Sequence, residues 1–146
     1  MASSAVVPAA TIHIAEESYR RCQSEPFFRA FYRTLLASNE TIRTMFARTD
    51  FDRQIKLLQH SIGLLFVYAK RRNPAILERI AARHGRRDVN VAPELYPLFV
   101  ESLMATVKEF DPHYGSEVEQ AWRMAIAPGI EFMSGWYTRD AADAGG

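Results

Sequence analysis

A chain of 146 residues carrying 18 basic and 17 acidic side chains, net charge +1, has the length of one domain and no global field to draw it onto nucleic acid or a membrane surface. Its single cysteine, Cys22, excludes an internal disulfide framework and suits a reducing cytoplasm. No apolar run reaches the roughly 18 residues of a membrane span, and Met1–Ala10 lacks the basic-then-apolar order of a signal peptide, so the expectation is a soluble cytoplasmic protein with neither nucleic acid nor membrane as partner.

Residues 1–10 are Ala, Ser, Val and Pro after the first Met, without a period, and residues 140–146 are small and polar. Both ends are expected to be disordered, leaving one domain over 11–138. A first helix is expected over Ile14–Cys22, beginning as early as Thr11. Ser24-Glu25-Pro26 then restarts the chain, with Ser24 as cap and Pro26 in the first turn. Phe28, Phe31, Tyr32, Leu35 and Leu36 follow at helical spacing. Ser38-Asn39 stops that helix, Glu40–Met45 makes a short one, and Phe46 stands in the corner after it.

Thr49 or Asp50 caps the next long helix, whose stripe Ile55, Leu58, Ile62, Leu65, Ala69 is joined by a second, Leu57, Leu64, Tyr68, as expected of a helix buried on more than one side. Gly63 within it costs about 1 kcal/mol relative to Ala, tolerable where another backbone comes close. Lys70-Arg71-Arg72 closes the helix at the negative end of its dipole.

Asn73 and Pro74 then read as cap and first position of a helix running to His84, with Ile76, Ile80 and His84 recurring at intervals of four on one face and Gly85 ending it. An imidazole on an apolar face needs a partner, because an unmet buried polar nitrogen costs about 1–3 kcal/mol. A flat apolar cofactor carrying a metal would satisfy the aliphatics and the imidazole together; a satisfied boundary histidine is the other reading.

After a polar connection, Pro93 opens a helix with Tyr96, Phe99, Leu103, Val107 and Phe110 on one face. Residues 111–115 turn the chain, and Ser116-x-x-Glu119 reads as a capping box. The last helix carries Trp122, Ile126, Ile130, Met133 and Tyr137, and Pro128 inside it is expected to kink it rather than end it. No segment alternates like a strand, so the fold class is all-α.

The order Phe31-Tyr32, Phe46, Thr49-Asp50-Phe51-x-x-Gln54, His84, Leu95-Tyr96-Pro97 and Ala121-Trp122 resembles the bacterial single-domain globins and the haem domains of flavohaemoglobins, over about Ile14 to Tyr137. Seven or eight helices of unequal length with short corners suit that fold better than a four-helix bundle. The resemblance implies haem b (iron protoporphyrin IX) with His84 as the iron ligand and Phe46, Leu58, Ile80 and Tyr96 as further cofactor-binding residues. It implies a distal pocket of Tyr32, Gln54 and Leu58, in which a phenol and an amide donate to a gaseous ligand that takes on partial negative charge. On the proximal side it implies Tyr96 and the residue at position 137 near His84. Flavohaemoglobin-type domains carry a glutamate at that last place and this chain carries Tyr137, which weakens the expected electron push onto iron.

The implied function is reversible binding of O2, with NO and CO as further ligands. Alternatives are a nitric oxide dioxygenase served by a separate reductase, since no glycine-rich dinucleotide loop is present, and a haem-based gas sensor. His60 lies six residues after Gln54, about 600° around the helix and off its face; His13 and His113 are expected to face solvent. Arg53, Arg83 and Arg87 are all within reach of haem propionates.

Overall fold

Three of the helices start where a side chain satisfies their first N–H groups. In the computed structural model, which describes residues 6–85 and 89–145 with side chains through residue 139, Ser24 Oγ accepts from the Phe27 N–H at 3.3 Å and opens α2 (Glu25–Ser38). Asn39 Oδ1 accepts from the Ile42 N–H at 3.0 Å and opens α3 (Glu40–Met45). Asp50, not Thr49, caps the 21-residue α4 (Phe51–Arg71), accepting from the Asp52 and Arg53 N–H groups. These three boundaries fall where the local sequence puts them.

The ends of the chain differ from expectation. Helix α1 spans Ala9–Cys22 and Val7 is buried ahead of it, so the expected disordered stretch is replaced by structure from Val7 onward, while residues 1–5 lie outside the described residues. Burying Val7 and the high helix propensity of Ala9 and Ala10 account for the early start. The last helix likewise continues to Gly145 through Ala141, Ala142 and Ala144 rather than giving way to a disordered tail.

The stretch expected as one helix from Asn73 to His84 is two pieces. Asn73 caps a single 3-10 turn, Pro74–Ile76, and Leu77 (φ −112°, ψ −6°) separates it from α5 (Glu78–His84). Leu77 is fully buried; turning its side chain into the core breaks the regular backbone, so Ile76 no longer shares a helical face with Ile80 and His84. Pro93–Leu95 forms a similar turn before α6 (Tyr96–Phe110), and α7 (Ser116–Gly145) runs through Pro128 without ending. The expected capping box at Ser116 does not form: the Glu119 carboxylate accepts instead from Tyr114 Oη at 2.9 Å and from Arg123 Nε at 3.0 Å. The described residues thus form seven α-helices and no strand.

Helix α7 is the common neighbour, packing against α1, α4, α5 and α6, while α2 crosses α6 and rests on α3 and α4. The α4 stripe Ile55, Leu58, Ile62, Leu65, Ala69 is buried throughout, but of the second stripe Leu57 is exposed and Leu64 and Tyr68 only half-buried. Gly63 is not a point of close approach, for a Cβ there would meet nothing within 4 Å. The close approach is at Gly129 on α7, where a Cβ would collide with Leu65 Cδ2 of α4.

The helices are tied at one buried carboxylate. Asp111, in the corner between α6 and α7, accepts from Ser18 Oγ (2.6 Å), Arg21 Nε and Nη2 (both 2.8 Å) and the His113 N–H (2.9 Å). Ser18 Oγ in turn accepts from the fully buried Trp122 Nε1 at 2.8 Å. Burial alone would raise the Asp111 pKa, but the bonds from Arg21, Ser18 and the His113 N–H outweigh it and hold the carboxyl at about 2, against an ordinary 3.8. A carboxyl held low binds its proton less readily folded than unfolded. Its stabilisation is present above about pH 4 and is lost as pH falls toward 2, amounting to roughly 2–3 kcal/mol. Urea unfolding across that range should show Asp111→Asn less stable than wild type by that amount at pH 7, with the two proteins converging below about pH 2. A constant difference at every pH would remove the carboxylate from the account.

Candidate functional site

Two groups of the residues singled out in the sequence come together, one on α2 and α4, the other on α5, α6 and α7. On the first side, Tyr32 lies inside α2 and is 4% exposed. Its ring is edged by Phe31 at 5.1 Å, Phe51 at 5.3 Å and Phe46 at 5.7 Å, with Phe46 and Phe51 stacked on each other. Phe46 stands at the end of α3 and Phe51 at the first position of α4, so the Ala47–Asp50 corner between them closes an aromatic cage around the phenol. Gln54, one turn into α4, donates from Nε2 to Tyr32 Oη at 3.1 Å. Leu58, one turn further on, is buried beside them.

The direction of that bond matters. An amide NH2 only donates, so Tyr32 Oη is the acceptor and its own proton is directed elsewhere. Tyr32 Oη donates to no described protein group, which makes the phenol a donor held ready in an apolar cage. Burial pushes its pKa up, the Gln54 bond pulls it slightly back, and the result is about 12.

On the second side, His84 ends α5. Its Nδ1 lies 2.8 Å from the carbonyl oxygen of Ile80, and because a carbonyl can only accept, Nδ1 carries the hydrogen. The neutral ring then has its lone pair on Nε2, the arrangement required of a metal-binding imidazole. Tyr96, at the start of α6, is 7% exposed and packs with Ala81, Ile80 and Met133 on the flank of α5. Its hydroxyl makes no hydrogen bond among the described residues, and burial pushes its pKa to about 12. The Tyr137 hydroxyl donates to Asn90 Oδ1 at 2.9 Å, in the segment that follows His84.

Helix α5 packs chiefly on α7 and on the Pro74–Ile76 turn, and Ile80, Val91, Leu98 and Phe99 remain only partly buried. The donor set has a chemical signature as well. Among the described residues no three His, Cys, Asp or Glu side chains converge to hold a metal, so a metal on His84 must bring its other ligands with it. His13, His60 and His113 are exposed, as are Arg53 and Arg83, while Arg87 lies outside the described residues. Phe51 belongs to the Thr49-Asp50-Phe51 motif, and its contact with Tyr32 across the α3–α4 corner is what sequence periodicity does not reveal. Asn90 gave no local signal beyond being a residue type tolerated at positive φ.

A protein from Pseudomonas aeruginosa PAO1, whose crystal structure is described as structurally highly homologous to a human hemoglobin, matches with a TM-score of 0.84 at 36% sequence identity, covering 87% of this chain and 98% of that one. No protein-family model and no curated protein matches the chain.

The caged phenol leads to an outcome that needs no ligand. With its pKa raised from 10 to about 12, Tyr32 keeps its proton throughout the neutral and moderately alkaline range. In an alkaline ultraviolet titration, the difference between wild type and Tyr32→Phe should stay flat until about pH 11, while a phenolate signal near pH 10 would contradict the cage.

Proposed function

Because the chain belongs to the globin family, we propose that it holds one haem b on His84 and binds O2 reversibly beneath Tyr32, with NO and CO as further ligands. The observation that carries this reading is the Nδ1–Ile80 carbonyl bond of 2.8 Å, which presents Nε2 as a single neutral imidazole ligand. A porphyrin is the group that complements it, since it supplies four metal ligands of its own and an apolar disc suited to partly buried aliphatic and aromatic neighbours. The haem would supply an iron centre with one open coordination position for a diatomic gas.

The protein's part is orientation and electrostatics. His84 holds the iron from one side, and Ile80 and Tyr96 flank it. Phe46, Phe51 and Leu58 exclude water around the phenol, and Tyr32 donates its proton toward a ligand that gains negative charge. Gln54 fixes which way the Tyr32 proton points by occupying the oxygen from behind. His84 Nδ1 gives a hydrogen bond to the Ile80 carbonyl, an acceptor that polarises an imidazole less than a carboxylate does. That supports holding a ligand over activating it.

Absorption spectra of the ferric, ferrous and CO forms test the reading. The ferrous unliganded protein should be five-coordinate and high-spin, because no second histidine faces the Tyr32 side. His84→Ala should lose most of its haem, and with it the stability that ligand binding to the folded state contributes. A wild-type Soret band in His84→Ala would overturn the assignment.

The two donors should not weigh equally. Tyr32 is packed on several sides by aromatic rings, whereas Gln54 sits in a first turn with three rotatable side-chain bonds and loses up to roughly 2 kcal/mol of rotamer entropy when fixed. Its bond to Tyr32 Oη makes part of its effect indirect. Removing a buried donor to a charged acceptor costs about 1.5–3 kcal/mol, or roughly 10–150-fold in affinity, mostly in dissociation. Stopped-flow displacement of O2 by CO should show Tyr32→Phe raising the O2 off-rate at least about tenfold and Gln54→Leu raising it less. A larger effect from Gln54→Leu would reverse the hierarchy and leave the haem assignment standing.

A further inference from the structure

The small net charge of the chain conceals an uneven distribution. Residues 51–84, which span α4, the Pro74–Ile76 turn and α5, hold seven basic and two acidic side chains, a net charge of +5. The rest of the chain holds 11 basic and 15 acidic side chains, a net charge of −4. Charge is therefore segregated, and the positive part is the pair of helices that carries Gln54, Leu58 and His84.

Pairing inside the protein does not close the imbalance. Asp52, one of the two acids, is already engaged by Arg29 of α2. Lys70 is matched by Glu16 of α1 at 2.7 Å. Among the described residues, Arg53, Lys56, Arg79 and Arg83 have no carboxylate partner, and all four are exposed.

Their places follow the site. Arg53 stands beside Gln54, and Lys56, three residues on, shares that side of α4. Arg79 and Arg83 stand beside Ile80 and His84, four residues apart on one side of α5. Each half of the site thus has two unpaired cations next to it. Like charges collected in this way repel one another, and an anionic surface brought against them turns that repulsion into attraction.

We propose that the α4–α5 face is the docking surface for an acidic electron-carrier protein that reduces iron held by His84. This rests on the reading of His84 as a haem ligand. O2 is taken up by ferrous iron, so a ferric site must regain one electron before it binds O2 again. The donor loses that electron and the iron gains it, and no bond forms or breaks. A protein fits better than a nucleic acid, because the positive surplus is confined to two helices and the opposite charge elsewhere repels an extended polyanion.

A reduced acidic flavodoxin is the probe. Arg53 and Arg83 are within reach of haem propionates, so the test is made at Lys56 and Arg79. In stopped-flow reduction of the ferric protein at about 10 mM ionic strength, Lys56→Glu and Arg79→Glu should each lower the second-order rate constant roughly three- to tenfold. The exposed Lys108 on α6 is the control: Lys108→Glu changes the net charge equally and should lower the rate less than about twofold. All four proteins should converge at about 0.5 M salt, where the screening length is roughly 4 Å. An equal loss in Lys108→Glu, or a rate indifferent to salt, overturns the inference. Binding of oxidised flavodoxin to the full chain at low salt, read by biolayer interferometry, should weaken about threefold or more in Lys56→Glu and Arg79→Glu but not in Lys108→Glu. That measurement needs no haem, so a chain without haem would defeat the reading of His84 while binding still decides the surface. Tighter binding of duplex DNA or of phosphatidylserine vesicles than of flavodoxin at the same salt overturns the choice of partner.

Discussion

Asp111 is where the chain is tied to itself. The carboxylate sits 93 residues from Ser18 and 90 from Arg21, in a place without solvent, and every lone pair it turns toward the protein meets a donor. An incompletely satisfied charge there would cost more than its bonds return, so the arrangement is stable only when α1, the α6–α7 corner and Trp122 are all in place together. This is a cooperative constraint. Since α7 runs from that corner past α4 and α5, the carboxylate also fixes the axis along which both sides of the site are laid out.

The two sides are built to different specifications. Tyr32 projects from the middle of a capped 14-residue helix and is held by three aromatic rings, so its hydroxyl position is a property of the core. His84 projects from the last turn of a seven-residue helix whose backbone is held largely from outside, by Leu77 at one end and by the segment carrying Asn90 at the other. Packing fixes the first, with one hydrogen bond from Gln54 added to it. The second depends on hydrogen bonds that water can reach, and local opening of the protein is therefore expected to begin on the His84 side.

What the sequence revealed and what it concealed divide along the range of the interactions. Ser24 was legible as a cap, and Asp50 as one of two candidates beside Thr49, because each acts within three residues; Asn39 was legible as a helix stop but not as the cap of α3 that it also is; and the α4 stripe was legible because burial on one face imposes its period. The all-α fold followed from period and spacing, whereas the places of Tyr32, Gln54 and Phe46 came only with the resemblance to single-domain globins. The break at Leu77 was not legible, since Asn73-Pro74 and the four-residue spacing argue for a continuous helix and only a tertiary cavity for Leu77 overrides them. Gly63 drew attention as a glycine in a helix, yet the neighbour that needs room is Gly129, and no local rule distinguishes them. Glu119 had the spacing of a capping box, but Tyr114 and Arg123 compete for its carboxylate. The partners of Asp111 and the bond from Tyr137 to Asn90 join residues far apart in the chain, and no spacing rule reaches that far.

On the proposed reading of His84 as a haem ligand, the hydrogen-bond directions on the two sides favour one kind of chemistry. An Nδ1–H given to a carboxylate would lend the imidazole anionic character and push electron density toward a metal, favouring cleavage of a bound oxygen–oxygen bond. Here Nδ1 gives a hydrogen bond to the Ile80 carbonyl, and Tyr137, which the resemblance aligns with the family's glutamate, is a phenol and not a carboxylate and donates to Asn90. Opposite, the Tyr32 proton is a hydrogen-bond donor rather than an acid, because a phenol held at about 12 gives up its proton far less readily than the side chains that act as general acids near neutral pH. In that reading, a modest push from one side and a donor that does not let go of its proton on the other would both lower the tendency to break a bound ligand. Both leave its electrostatic stabilisation intact, and this combination suits reversible capture.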